Sequence, residues 1–393
     1  MSKIVLNFNM DFPFGFGQKS SLLLIFFFNG LLFSLVLLKR GIFHENQSQK
    51  WLSFLLFLCA LYIAPYMLGY AGWYSRTTTR EILFFVPFMQ VLVIGPVVYF
   101  YVQSLLKPDF QFHNKDWWHF TPGIIYLLYS LVIFISDKFI FEEFYFYTDG
   151  RDKDLKTWYQ LLGLTSMISY LFVCLRMYLR YKKSIFDVVS FAESVLYRWI
   201  QNFLIAFLTL LVLRIIFFFT NPQWEEFGSQ FWYFLSFSAV FLYISINGYA
   251  HSLTSESFAI QRIPNPIPDY PSAKSVSKKE DIDCWKSKIE TLMNTQSIYQ
   301  NPQLTLTDVA EALGTNSKMI SNVINQGFQM NFNDFINYHR IEAIKKKIGN
   351  GEHLKSTLLG LAIDCGFNSK ATFNRAFKKS TSLTPKDYIS QLK

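Results

Sequence analysis

Two short runs near the C-terminal end of the sequence place amide and cationic side chains at helical spacing. Lys318, Ser321, Asn322 and Asn325 gather on one side of a helix, because positions three and four apart share a face, while Ile320, Val323 and Ile324 fall on the other. In the second run Lys370, Asn374 and Lys378 share a face, and Phe373, Ala376 and Phe377 lie away from it. Asn can pair bidentately with adenine, and Arg or Lys with guanine, through the major-groove edges of the bases. The chemistry on offer is recognition of a duplex. Lys318, Ser321, Asn322, Asn325, Lys370, Thr372, Asn374 and Arg375 are the candidate base-reading residues, and Lys378 and Lys379 are assigned to phosphates.

Such side chains need short helices held from their apolar side. Asn316 can cap a helix that runs to Asn325. Thr357 opens another short helix, buried through Leu358, Leu361 and Ala362; Gly366-Phe367 make a turn, and Lys370 to Lys379 form the next helix. From Leu304 to Tyr388 the pattern is two helix-turn-helix units joined by a long basic helix.

The run Gly366-Phe367-Asn368-Ser369, then Phe373, Arg375, Phe377-Lys378-Lys379, Thr384-Pro385 and Tyr388, resembles the second half of the AraC family DNA-binding domain. Leu304-Thr305-Leu306, Val309-Ala310, Leu313-Gly314, Ile320-Ser321, Phe332, Phe335, Arg340 and Ala343 are similar to its first half. The resemblance covers about the last quarter of the chain. It implies two recognition helices in successive major grooves on one face of double-stranded DNA, with Arg340 on the helix that sets their separation. Arg340 joins the candidate DNA contacts on that basis, and reads equally well as a structural ion-pair residue. Asn322 stands where the family often carries a base, so the first unit is expected to contribute less. Family members are mostly activators, which makes RNA polymerase a candidate partner.

The rest of the chain is different in kind. Of 393 residues 51% are hydrophobic and 17% charged, with 43 Phe, too apolar for an ordinary soluble protein. Seven apolar segments approach the roughly 20 residues that cross a bilayer: Ser20–Leu38, Trp51–Tyr70, Ile82–Leu106, Trp117–Ser136, Trp158–Tyr178, Trp199–Phe219 and Phe231–Tyr249. The first has no cleavage site after it and reads as an uncleaved span. Trp51, Trp117, Trp118, Trp158, Trp199 and Trp232 fall at segment ends, as in an aromatic belt. Lysines and arginines concentrate in the connections that would share a side with the C-terminus, which places that end in the cytoplasm. Of the formal net charge of +9, the segment from Trp285 onward carries fourteen Lys and Arg against eight Asp and Glu.

Pro264, Pro266, Pro268 and Pro271 mark an extended tether, and Asp281–Ser297 reads as a helix whose face Trp285, Ile289, Leu292 and Met293 packs on the DNA-binding domain or pairs with a second copy. Arg214, set in an apolar segment, is the candidate intramembrane signal site. The four cysteines and six histidines have no zinc, disulfide or triad spacing, and no phosphate-cradling glycine loop or G-x-S-x-G is present. No metal, no cofactor and no enzymatic activity are therefore expected. The expected architecture is all-α: a seven-span transmembrane bundle (1–250), a proline-rich linker (251–280) and a double helix-turn-helix domain (281–393). The expected function is a bacterial inner-membrane, multi-pass transcription regulator with double-stranded DNA, the lipid bilayer, a small-molecule or membrane signal and a second copy of itself as partners. The alternatives are a transporter, or a scaffold, with an attached regulatory DNA-binding domain.

Overall fold

A computed structural model describes residues 15–391 apart from 76, 108–109, 142, 144, 149–151, 192–197, 222–226 and 259–278. The described residues form helices, with a single isolated β-bridge and no strand. They divide into two compact units, one comprising residues 1–177 and 199–262, the other 178–198 and 263–393.

The first unit contains α1 (Gln18–Phe43), α2 (Gln47–Tyr70), α3 (Thr77–Leu83), α4 (Val91–Leu106), α5 (Thr121–Ile135), most of α6 (Thr157–Val188), α7 (Arg198–Thr220) and α8 (Phe231–Phe258). Among the described residues six helices are long and apolar enough to cross a membrane. They coincide with six of the seven expected segments. The exception is Ile82–Leu106, which is divided between α3 and the shorter apolar helix α4. Pro87 lies in the gap. A proline removes a backbone donor and drives the residue before it away from helical torsions, which favours a break there, although Pro65 and Pro96 are accommodated inside α2 and α4.

α2 is the most enclosed of the candidate spans, 72% buried over its most apolar window against 22% for α1. Asn46 caps it, accepting from the Ser48 and Gln49 amides. Between α1 and α2, Ser34 and Ser53 exchange hydrogen bonds from each hydroxyl to the other's carbonyl (2.9 and 2.7 Å). Gly30 lets the Phe241 ring of α8 come so close that a Cβ would stand 2.4 Å from it. Small residues and hydroxyl pairs are how helices pack where lipid removes the hydrophobic drive between them. Trp117, Trp118, Trp158 and Trp232 are exposed on this unit, as a belt requires, whereas Trp199 is buried and donates to the Tyr101 hydroxyl (2.6 Å).

The second unit contains α9 (Lys279–Gln296), α10 (Leu306–Ala312), α11 (Ser317–Gly327), α12 (Phe332–Gly349), α13 (Leu358–Asp364), α14 (Lys370–Thr381) and α15 (Pro385–Gln391), together with Tyr178–Arg198. It has two cores that share one helix. Phe332, Phe335 and Ile336 of α12 pack with α9, α10 and α11, and Ile341, Ile344 and Ile348 of the same helix pack with Phe367, Phe373 and Phe377. Ile289, Leu292 and Met293 of α9 are buried in the first core with Trp285 against it, so that face packs on the domain. α8 continues to Phe258, into the stretch expected to be linker, and the prolines of that linker lie outside the described residues.

Candidate nucleic-acid interface

Each candidate recognition helix, α11 and α14, is fixed by a cap at its start and a buried stripe along its length. Asn316 accepts from the Met319 amide (2.9 Å) to begin α11, and Ile320, Val323 and Ile324 are fully buried. Ser369 accepts from the Thr372 amide (3.2 Å) to begin α14, held by buried Phe373 and Phe377. Such caps contribute about 1 kcal/mol each. In α13, Thr357 accepts from the Gly360 amide (3.0 Å). The turn between α13 and α14 depends on Gly366, whose φ is +95° and where a Cβ would lie 2.6 Å from the Tyr299 carbonyl oxygen. Both the torsion and the space exclude a side chain.

The two polar faces are unequally open. On α14, Lys370, Asn374, Arg375, Lys378 and Lys379 are exposed, and Thr372 is half-buried with its hydroxyl bonded to Ser369 (3.0 Å). On α11, Asn325 is exposed, donating to the Ser321 hydroxyl (3.3 Å), while Lys318, Ser321 and Asn322 are half-buried. Lys379 meets Asp334 at the start of α12 (2.7 Å). An exposed pair of this kind contributes at most about 1 kcal/mol, so its ammonium can exchange a carboxylate for a phosphate at little cost.

Arg340 stands apart from the other candidates. It is 1% exposed. Its Nε donates to the Tyr299 carbonyl (2.8 Å) and its Nη2 to the Asn301 carbonyl (2.8 Å) and the Ser190 hydroxyl (3.1 Å). Burial lowers its pKa to about 10, so it remains a cation at neutral pH. It sits where the two cores meet, 5.7 Å from the Phe367 ring centroid. Asn333 and Asn337, which the sequence reading passed over, join it in one polar strip on α12 through an Asn337–Asn333 bond (3.0 Å). Their spacing of four and three residues was the available signal.

Arg214 belongs to the first unit and is 7% exposed there. Its Nη2 donates to the Gln160 Oε1, its guanidinium lies 4.9 Å from the Tyr233 ring, and the cavity beside it measures about 30 Å³, room for one water. Gln160 in turn donates to the Asp154 carbonyl, and the Asp154 carboxylate accepts from the Met89 amide (2.8 Å) and the Tyr126 hydroxyl (2.5 Å). A polar chain thus ties α5, α6 and α7 to Met89, two residues before α4.

Burial raises the Asp154 pKa to about 6 and, together with Asp154, holds the Asp152 carboxyl well above the usual carboxylate range. A carboxyl with a raised folded-state pKa stabilises the fold at low pH and loses that contribution as pH rises through the folded value. The intact chain in lipid nanodiscs should therefore melt at a higher temperature near pH 5 than near pH 7, and D152N/D154N should flatten that difference. An unchanged pH dependence in the double variant would remove the pair as its source.

A family described as helix-turn-helix domain matches residues 309–391. Curated relatives include uncharacterized HTH-type transcriptional regulators of Staphylococcus aureus strains COL and MW2, each 28% identical over 101 residues, which is 26% of this chain. The matched region spans 13% of the length of those relatives. No solved structure matches the chain. The capped and doubled helix-turn-helix, its shared central helix and this match agree: the C-terminal part of the chain is an AraC-type helix-turn-helix domain, and the chain is similar there to HTH-type transcriptional regulators.

Proposed function

We propose that the chain is a membrane-bound, sequence-specific transcription regulator in a bacterial inner membrane, with α4 as a seventh span and the helix-turn-helix unit in the cytoplasm. The observation that carries this reading is the joining of six helices able to span a bilayer to a unit that exposes two polar recognition faces. The polar chain through Asp154, Gln160 and Arg214 is the proposed receiving end. Its charged and amide groups are buried among helices, where polar residues are costly and usually functional. A signal that rearranges it shifts helices α5 to α7 against one another, and two copies brought together then gain effective concentration for adjacent half-sites. Family resemblance supports activation of transcription as the output.

The test is selection of duplexes from a random pool by the full chain in nanodiscs. A single recurring pair of half-sites about one helical turn apart is expected. Recovery of unrelated sequences would sink the sequence-specific reading.

A further inference from the structure

The connection between α6 and α7 contributes a segment to the second unit. Val189 and Ser190 are fully buried and Phe191 is 9% exposed. Val189 forms an antiparallel bridge with Thr305, and the Ser190 amide donates to the Leu304 carbonyl (3.0 Å). The Ser190 carbonyl accepts from Asn333 Nδ2 (2.8 Å) and Arg340 Nη1 (3.4 Å), and its hydroxyl accepts from Arg340 Nη2. Every polar group of Ser190 has a partner on the helix-turn-helix unit. This is a built receptor for the short turn that ends α6, with its occupant seated.

Its position follows from neighbouring contacts. The strand-like partner, Leu304–Thr305, lies between Pro302 and Thr307. Asn368, next to the cap of α14, donates to the Pro302 carbonyl (3.0 Å), and Ser317, the first residue of α11, donates to the Thr307 hydroxyl (3.4 Å). The seated segment is therefore beside the N-terminal ends of both recognition helices. Those ends are the parts of such helices that reach base edges.

We propose that Val189–Phe191 is an intramolecular strap across the DNA-facing edge of the helix-turn-helix unit, and that it must leave before both recognition helices seat in a duplex. The proposal rests on the membrane-regulator reading. The strap is part of the connection between two candidate spans, so a shift of α6 against α7 acts on it directly. Asn333 and Arg340 hold the strap through its carbonyl and hydroxyl, Asn337 is bonded to both of them, and Val189 supplies the apolar anchor.

The test locks and releases the strap in the full chain in nanodiscs of phosphatidylethanolamine and phosphatidylglycerol. Cα atoms bridged across an antiparallel pair lie about 4.5–5.5 Å apart, within disulfide range. V189C/T305C in a C284S background, which removes the exposed thiol, is compared oxidised and reduced, so that the loss of Thr305, whose hydroxyl accepts from the Asp308 amide (3.2 Å) to cap α10, cancels. The probe is the duplex recovered by the selection above. The oxidised protein should bind about tenfold more weakly, or worse, than the same protein reduced. V189D, whose carboxylate opposes burial, should bind about tenfold more tightly than the unaltered chain. Equal binding by the oxidised and reduced forms, with the cross-link complete, overturns the strap. Failure of every form to bind DNA, V189D and the reduced protein included, overturns the DNA-binding reading and the strap with it.

Discussion

Replacing Arg340 with methionine should destabilise the helix-turn-helix unit by about 3–5 kcal/mol. The side chain is 1% exposed and supplies hydrogen bonds to the carbonyls of Tyr299, Asn301 and Ser190 and to the Ser190 hydroxyl. Methionine fills much of the volume and donates nothing, so several buried acceptors lose their partner at once, each at the cost of its desolvation. Arg340→Lys keeps the charge but replaces a planar fork with a single ammonium that cannot reach all of these acceptors, and should fall between. Hydrogen exchange of the α12 and α13 amides in the intact chain measures this. Faster exchange in both helices is expected, because Arg340 lies where the two cores meet. If exchange were unchanged while DNA affinity fell, the residue would be a DNA ligand and its buried bonds would be incidental.

That result would separate what local sequence reveals from what it hides. The caps Asn316 and Thr357, the buried stripes Ile320–Val323–Ile324 and Phe373–Phe377, and the turn at Gly366 were legible because each depends on residues within a few positions. Helical periodicity and capping chemistry act at that range. Six span-length helices were legible for the same reason, since hydropathy is summed over one continuous stretch. The interruption of Ile82–Leu106 was also written locally, in Pro87, but an apolar average over the whole stretch conceals it.

What could not be read was long-range. The acceptor of Arg340 in Ser190 is 150 positions away, and nothing in the residues around Ser190 distinguishes it from any other short connection between spans. The same holds for Arg214, whose partner Gln160 is 54 positions distant. The apolar segment around it marks Arg214 as the candidate intramembrane signal site, without naming the group it meets. The side chain turns inward, where the Gln160 amide oxygen on α6 accepts from its guanidinium. Polar residues in these positions announce that a partner exists and leave its identity to the fold.

The second large effect concerns salt. A duplex held by both recognition faces neutralises about six phosphates, and binding then falls roughly 10³-fold between about 50 and 200 mM salt, because the released counterions carry the dependence. The excess of fourteen basic over eight acidic residues from Trp285 onward supplies that charge. Single changes on α14 should divide the effect into its parts. Lys378 is exposed beside the reading face, and Lys378→Ala should weaken selected and random duplexes alike while reducing the salt slope by about 1. Asn374→Ala should cost about 1–3 kcal/mol on the selected duplex, relax the choice of base at one position, and leave random duplex and salt slope unchanged. Fluorescence anisotropy with both duplexes across the salt range gives the two affinities and the slope, and the selected duplex altered one base pair at a time gives the base choice. If Asn374→Ala lowered the slope and Lys378→Ala relaxed the sequence, the two residues would have exchanged roles, and α14 would enter the groove rotated from the orientation its exposed face implies. Arg340→Met provides the internal control, since a residue whose donors are turned inward should leave the slope of the surviving folded fraction where it was.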